Sequence, residues 1–232
     1  MIDHRVNWPY RLVGLGHSPF TGITRVQIPL GSLFAIIKNM NIFYLDKDPS
    51  KCAKMHCDKH VVKMILEYTQ LLSTAHRLHD GTQTIVVVNN RKLKRWTLED
   101  VKMNDRLFLA SHINHPSALW ARETEEQYLW LYRLLTHLCK EYNHRYKKTH
   151  AVVNRCWDEL RNPPKNLKGI LGYADPPQAM PNEYKVIGDS VTAYKNYYIG
   201  AKQKFAKWTN RKAPDWWCLD TVPIKEVHDA IL

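Results

Sequence analysis

The residues with the greatest capacity for chemistry form a stripe of polar side chains on one predicted helix. A helical wheel over residues 56–76 places them within about one quarter-turn of each other: His56, Lys59, His60, Lys63, Glu67, Gln70 and Thr74. A glutamate beside two cationic groups stays ionised, and a nearby histidine titrates close to neutral pH. This combination is typical of proton transfer, although the solvated face of any amphipathic helix also carries polar residues.

Two chemistries are compatible with this stripe. A metal site would use His56 and His60, which stand four residues apart, but a third ligand is not evident and the adjacent lysines would repel a cation. Acid–base catalysis on a phosphodiester substrate would instead use Glu67 on the sugar or base, while Lys59 and Lys63 hold phosphate. The net charge of the chain favours the second chemistry.

The charge balance of the whole chain indicates a polyanionic partner. The 232 residues include 34 Lys and Arg against 22 Asp and Glu, which gives a formal net charge of +12 at pH 7. A field of this sign concentrates nucleic acid and accelerates its capture. The 8 Trp and 12 Tyr add side chains on which bases can stack. A positive charge that serves only solubility is the alternative interpretation.

Cysteine usage and hydropathy predict a protein of a reducing compartment. The five cysteines are odd in number, widely spread and without a Cys-x-x-Cys pair, which argues against a disulfide framework and a four-cysteine zinc site. No segment is apolar over the length that a membrane crossing requires. We therefore expect a cytoplasmic protein (in the host cytoplasm, if a phage encodes it) with no cofactor and no membrane partner.

The distribution of glycine and proline divides the chain into three segments. Residues 1–39 are rich in both and show no periodicity, so we interpret them as an N-terminal extension, loosely ordered or upstream of a natural start at Met40. Residues 40–209 form the predicted helical domain, which includes a Pro/Gly-rich loop region at 162–187. Residues 210–232 form the predicted C-terminal tail.

Hydrophobic periodicity predicts a mainly α fold, a compact single-domain helical bundle with little sheet. The predicted helices cover residues 51–79, 97–111, 117–147, 152–161 and 190–209, and a short helix begins at Pro214. A lone strand is expected at 84–88 and a solvated basic loop at 91–96. The core face of the first helix is predicted to comprise Val61, Met64, Ile65, Tyr68, Leu71, Leu72 and Ala75.

The polar stripe resembles the active helix of the phage endonuclease V type of pyrimidine-dimer DNA glycosylase/AP lyase. In that family an early helix carries a histidine, a catalytic glutamate seven residues later and a basic residue three beyond. His60 and Glu67 keep this spacing, whereas Gln70 replaces the basic residue. Lys63 lies nearby and supplies a positive charge instead.

Other patches resemble the same family in the same order. Asn114-His115-Pro116 is similar to a central pattern of bacterial relatives, and residues 194–202 resemble a Tyr/Lys-rich tail that approaches DNA. The opening Met40-Asn41-Ile42-Phe43 is shared with small phage proteins that carry the same label. The resemblance is confined to patches between residues 40 and 209, and each patch alone has low specificity.

The resemblance implies a compact all-helical fold and a defined reaction. In the family an α-amine at the mature N-terminus attacks the sugar C1′ and expels the base, an imine forms, and β-elimination cuts the strand while the glutamate organises proton movement. The matching start here is Met40-Asn41, and asparagine does not favour methionine removal. Three alternatives remain: the amine of Met40, a lysine (Lys59 or Lys63) with a lowered pKa, or no lyase step.

The polar stripe, the basic run at 91–96 and the patches of resemblance together nominate the residues that contact DNA. They are Lys59, Gln70, Arg95, His115, Tyr194, Lys195, Tyr197, Tyr198 and Lys202. Because adjacent residues on a helix cannot both point inward, we expect either Tyr197 or Tyr198 to reach the substrate. The expected partner is damaged or modified double-stranded DNA, bound by a monomer, with the target base flipped out of the stack.

Three functional hypotheses follow. The first is a DNA glycosylase, with or without AP lyase activity, in which the catalytic residues are Glu67, His60, Lys63 and Met40. The second is a metal-dependent nuclease or nucleotide hydrolase built on His56 and His60. The third is a non-catalytic DNA-binding protein. Ultraviolet dimers and a modified phage base are equally compatible with the first hypothesis.

Overall fold

A computed structural model of the chain describes residues 40–168 and 172–217, which lie in one compact unit. The predicted N-terminal extension, Cys218 and the rest of the predicted tail lie outside the described residues. Within these ranges the prediction of a mainly α fold with little sheet is confirmed. The other four cysteines are free and buried: Cys52, Cys57, Cys139 and Cys156.

Seven α-helices and one β-hairpin account for the regular structure of the described ranges. The helices are α1 (Pro49–Met55), α2 (Asp58–Asp80), α3 (Val101–Arg106), α4 (Pro116–Trp120), α5 (Glu125–Tyr146), α6 (Ala151–Cys156) and α7 (Ser190–Lys202). A short 3-10 turn spans Asn182–Tyr184. The strands β1 (Thr82–Val88) and β2 (Arg91–Thr97) pair antiparallel.

The long helices α2 and α5 pack against each other and build the core. All seven residues of the predicted core face of α2 are buried, with exposed fractions of 0–1%. From α5, Tyr128 and Trp130 are buried against this face, and Trp120 of α4 joins them. The prediction of the core face is therefore confirmed, because the 3.6-residue period places these side chains on one side of α2.

The first predicted helix is divided into α1 and α2 by a break at His56 and Cys57. Both residues have extended backbone conformations, with ψ angles of 133° and 162°. Asp48 caps α1 by accepting the backbone N–H of Ser50 and of Lys51. Neither proline nor glycine lies at the break, so its cause is an interaction with a distant part of the chain.

That interaction is a buried guanidinium. The side chain of Arg145, on α5, is 0% exposed and donates from Nη1 to the carbonyl of His56 (2.9 Å) and from Nη2 to the carbonyl of Lys54 (3.0 Å). These carbonyls lie where α1 ends, so Arg145 supplies donors that the helix no longer provides. Asp58 and Glu141 balance its charge at 3.0 Å and 3.2 Å.

Residues 210–217, which the sequence assigns to a tail, pack onto the same ion pair. Arg211 donates twice to the carboxylate of Glu141, at 2.9 Å and 2.6 Å. The side-chain amide of Asn210 donates to the carbonyl of Arg145 at 3.0 Å. Pro214 begins a turn, and not the predicted helix. The packed domain therefore extends beyond residue 209.

Four other predicted helices are shorter than expected or divided, two of them where a capping side chain begins a new helix. A turn at 121–124 separates α4 from α5, and Thr124 caps α5 by accepting the backbone N–H of Gln127. The helix predicted over 97–111 is reduced to α3, whose N-cap is Asp100. The helix predicted over 190–209 begins after the N-cap Asp189 and ends at Lys202. The fourth correction is α6, which ends at Cys156.

The predicted lone strand and basic loop form a single hairpin. Strand β2 contains the whole predicted loop at 91–96, and each strand has seven residues. The connection is Asn89-Asn90, with φ angles of 48° and 59°. Positive φ at both central residues is the signature of a type I′ turn, which asparagine tolerates and which suits tight hairpins.

We predict that Arg145→Met lowers the free energy of unfolding by about 3–5 kcal/mol, because it leaves the carbonyls of Lys54 and His56 without their donor and removes one of the two cationic partners of the buried Glu141 carboxylate. Chemical denaturation would measure the loss. The control is Arg161→Met, since Arg161 pairs with Asp158 at 3.3 Å but keeps 66% of its side chain exposed. An exposed pair contributes about 0–1 kcal/mol. Equal losses for the two variants would contradict the role given to Arg145.

Candidate active site on the second helix

Lys63 and Glu67 form an ion pair one turn apart on α2. The Nζ atom of Lys63 lies 2.8 Å from Oε1 of Glu67. The side chain of Lys63 is 41% exposed and that of Glu67 is 12% exposed. The pair therefore lies at the boundary between core and solvent, where a carboxylate is partly dehydrated but still within reach of a ligand.

The carboxyl group of Glu67 has unequal oxygen environments. Its Oε1 is paired with Lys63, whereas Oε2 is buried and has no hydrogen-bond partner among the described residues. Burial raises the pKa of Glu67 above the ordinary 4.5, and the hydrogen bond and charge of Lys63 only partly oppose this. A carboxylate with a free acceptor oxygen and a raised pKa is suited to take up or release a proton.

His60 is sealed under neighbouring side chains. It is 6% exposed, its Nδ1 is hydrogen-bonded to the hydroxyl of Tyr198, and its ring stacks on Phe43 with centroids 4.1 Å apart. Burial, followed by the positive charges of Lys202 and Lys63 among its neighbours, holds its pKa well below 6.5. The expectation that His60 titrates near neutral pH is wrong. The structure brings together Lys63 and Glu67, whereas His60 is packed in the core against Phe43 and Tyr198.

The three tyrosines of α7 predicted to contact DNA are core residues. Tyr194 and Tyr198 are 0% exposed and Tyr197 is 7% exposed. All three rings contact Phe43, and the hydroxyl of Tyr194 donates to the carbonyl of Pro177 at 2.8 Å. The expectation that Tyr197 and Tyr198 cannot both point inward is therefore wrong, and contact of either with the substrate stays a prediction. Phe43 and the loop before α7 cover the face that a wheel would leave open.

Three of the predicted DNA-binding lysines each lie beside an aromatic ring. The Nζ atom of Lys202 lies 4.1 Å from the ring centroid of Tyr197, and that of Lys59 lies 4.7 Å from Phe205. The Nζ atom of Lys195 lies 5.9 Å from the ring centroid of Trp216. Such contacts hold an ammonium group in place without neutralising it. Their part in DNA binding stays a prediction.

The other predicted site residues have varied surroundings. Met40 is buried at 3% exposure, and the use of its amine stays a prediction. His115 caps α4, because its Nδ1 accepts the N–H of Ser117 at 3.2 Å, and burial lowers its pKa. Gln70 is half-buried on α2, and Arg95 is half-buried on β2. His115 thus has a structural task in this fold.

His56, the second histidine of the metal hypothesis, is buried at the break between α1 and α2. Its Nδ1 lies 2.8 Å from the carbonyl of Cys52, and its Nε2 lies 3.4 Å from the hydroxyl of Tyr68. Both ring nitrogens are therefore engaged within the protein. In residues 40–168 and 172–217, no group of three or more His, Cys, Asp or Glu side chains is placed to hold a metal ion.

Sequence reasoning missed Phe43 as a neighbour of His60 and Asn41 as a buried polar residue. The Phe43 ring stacks on His60 and lies nearly parallel to that of Tyr197, at 6.3 Å. Asn41 is 2% exposed, and its Oδ1 has no partner among the described residues. A polar residue inside the apolar run from Met40 to Leu45 was a signal for Asn41. Nothing in the sequence marked Phe43.

An open cleft of about 560 Å³ contains none of the predicted site residues. Its lining is Asp46, Lys47, Asp175, Gly188, Asp189 and Val191. Three carboxylates against one ammonium group would repel a phosphate backbone. The cleft is therefore unsuited to nucleic acid, and α2 provides the better candidate site.

No protein-family model, curated protein or solved structure matches this chain. Among the helices of the described ranges, none combines the length and the apolar character that crossing a membrane requires.

We predict that Lys63→Met raises the pKa of Glu67 further, because the substitution removes the hydrogen bond and the charge that oppose burial. A carboxyl-carbon NMR titration would measure the change. Lys59→Met is the matched control, since Lys59 is exposed one turn earlier on α2. A pKa of Glu67 that is unchanged by Lys63→Met would contradict the pairing.

We also predict that the buried histidines make the fold sensitive to mild acid. Burial lowers the pKa of His56 from 6.5 to about 4, so between these values the unfolded state binds a proton that the folded state excludes. The free energy of unfolding should therefore fall as the pH falls from 6.5 to 4, by about 1.4 kcal/mol per pH unit for this residue. Chemical denaturation at several pH values would measure the slope of the free energy of unfolding against pH. We expect a smaller slope for His56→Gln, and the wild-type slope for the control His144→Gln at an exposed position. Identical slopes for wild type and His56→Gln would contradict this account.

Proposed function

We propose that the chain is a DNA-binding base-excision enzyme, a DNA glycosylase that acts on damaged or modified pyrimidines. The observation that carries the proposal is the Lys63–Glu67 pair, in which Oε2 of a largely buried carboxylate has no hydrogen-bond partner within residues 40–168 and 172–217. An unpaired buried acceptor is costly to maintain for stability alone. Its retention is understandable if a ligand supplies the missing partner.

The charge distribution supports DNA as that ligand. The chain carries a formal net charge of +12. Exposed Lys59 and half-exposed Lys63 lie on the same helix as Glu67. Phosphate contacts from such lysines position a duplex without reading its sequence, and their field brings DNA to the site.

Glu67 acts at the sugar during base excision. The C1′–N bond breaks, the base leaves with the electron pair, and positive charge develops on the sugar. The ionised carboxylate stabilises this charge and accepts the proton of the attacking water, as paired carboxylates do in glycoside hydrolysis. Lys63 opposes the rise in the pKa of Glu67 that burial causes, and so favours the ionised form of the carboxylate.

The same pair offers a route to an AP lyase step. Transfer of a proton from Lys63 to Glu67 would free the lone pair of Nζ, which adds to the C1′ aldehyde of an abasic site. The carbinolamine loses water to give an imine, and β-elimination then expels the 3′ phosphate. The 2.8 Å separation between Nζ and Oε1 is within hydrogen-bond distance, as such a transfer requires. The amine of Met40 is the alternative nucleophile.

The small exposure of Glu67 sets how DNA must approach. Only 12% of its side chain is accessible, so an intact duplex cannot bring a stacked sugar onto the carboxylate. The target nucleotide must therefore leave the stack, which costs a few kcal/mol and least for a damaged base. This requirement favours damaged or modified sites over normal ones.

The test is base release from a panel of duplexes that contain ultraviolet, oxidised or modified pyrimidines. We expect wild type to release a base, and Glu67→Gln to lose about 100-fold or more in rate while binding DNA as before, because acid–base groups contribute about 10²–10⁴. Glu126→Gln is the matched control at an exposed position of α5. Borohydride trapping on abasic DNA, with wild type and Lys63→Met, tests the lyase step.

Two outcomes would contradict the proposal. If wild type releases no base from any member of the panel but binds DNA, the chain is a non-catalytic binding protein. If Glu67→Gln releases bases at the wild-type rate, the excision chemistry does not use this carboxylate.

A further inference from the structure

The β-hairpin formed by β1 and β2 is a ribbon with little cover from the other described residues. Six of the seven residues of β1 are exposed. Its base is held by Arg77, whose Nη1 donates to the carbonyl of Trp96 at 2.8 Å. At about 3.3 Å per residue, seven residues give each strand a length of about 23 Å. An unpacked two-stranded ribbon is marginally stable in water, so its retention indicates a partner.

Apolar side chains on this ribbon are unusually exposed. Ile85 is 63% exposed, Val87 is 67% exposed and Val88 is 45% exposed. Branched aliphatic residues clustered on a protruding element mark a contact surface more often than isolated ones do. The exposed apolar side chains alone do not identify the partner of the ribbon, but the charge of the ribbon does.

The ribbon is strongly basic and contains no acidic residue. Between Thr82 and Thr97 the charged residues are Arg91, Lys92, Lys94 and Arg95, all on β2. Four positive charges without a counter-charge indicate a polyanion as the partner. An acidic surface of another protein would also satisfy the charge, but it would not require cations on both faces of the ribbon.

The pairing register places cations on both faces of the ribbon. Lys94 is opposite Ile85 and Lys92 is opposite Val87 on one face. On the other face Arg91 is opposite Val88, and Arg95 is opposite Thr84. A ribbon that lies on a membrane would segregate apolar and charged residues onto opposite faces. Cations on both faces instead suit an element that has phosphate on either side.

We infer that this hairpin is a DNA-binding arm that enters the major groove of duplex DNA. The groove admits a two-stranded ribbon, and its walls are phosphate backbones that the lysines and arginines would meet on both sides. Ile85 and Val87 share a face with Lys94 and Lys92, so on that side of the groove they lie beside the lysines and contact the methyl groups of thymines at the adjoining base edges. The inference rests on the proposed function for its partner, duplex DNA, but not for the excision chemistry.

The arm is tested by binding to a labelled duplex over a range of salt concentrations. Each phosphate contact contributes about 0.9 to the slope of log affinity against log salt. We expect Lys92→Gln with Lys94→Gln to reduce the slope by about 1.8 and to weaken binding by about 10-fold or more at 0.1 M salt. The control is Lys165→Gln with Lys185→Gln, which removes the same charge at exposed positions outside the hairpin.

A second variant separates groove contact from charge. Ile85→Thr with Val87→Thr keeps β-branched residues in the strand, and we expect several-fold weaker binding at an unchanged salt slope. Methylation footprinting of guanine N7, which faces the major groove, should show protection that the hairpin variants lose. Thermal melting verifies that each variant is folded.

The outcomes distinguish the arm from the enzyme. If the hairpin and control variants bind alike, or if N7 stays unprotected while the duplex is bound, the arm is excluded even when base release continues. Hairpin-dependent binding without base release supports the arm and contradicts the glycosylase. Capture by phosphatidylserine vesicles, with no hairpin-dependent binding to DNA, would overturn the inference in favour of a membrane surface.

Discussion

The fold depends on one buried guanidinium. Arg145 reaches from α5 to the carbonyls of Lys54 and His56, and so stabilises the break that lets α2 start in its own direction. Without that break, one continuous helix would carry the site residues on a different axis. Since α2 bears both Lys63 and Glu67, the placement of the candidate site follows from an interaction almost 90 residues distant in sequence.

The sequence predicted what depends on local periodicity and missed what depends on distant contacts. The core face of α2 follows from spacing alone. The break at His56 could not be predicted, because its cause is Arg145. The break before α5 had a signal, since Thr124 stands three residues before Gln127 as in a capping box. The Asn89-Asn90 turn was likewise a recognisable hairpin signal.

The candidate site, like the fold, could be predicted only where local helix geometry determines it. A helical wheel gives the angle of each side chain, so the proximity of Lys63 and Glu67 at i and i+4 was foreseeable. The wheel does not show which part of a helix another element covers. Phe43 and Tyr198 cover His60, which turns an expected proton carrier into a neutral packing residue. Burial also raises the pKa of Glu67, an effect that only tertiary packing produces.

The most direct test of the central claim is a structure of the protein bound to duplex DNA that contains a stable abasic-site analogue. The account predicts that the sugar of the analogue is flipped out, with its ring within about 3 Å of the Glu67 carboxylate, and that Lys63 keeps its contact with Oε1. An analogue bound elsewhere, with Glu67 still covered and in contact only with Lys63, would contradict it.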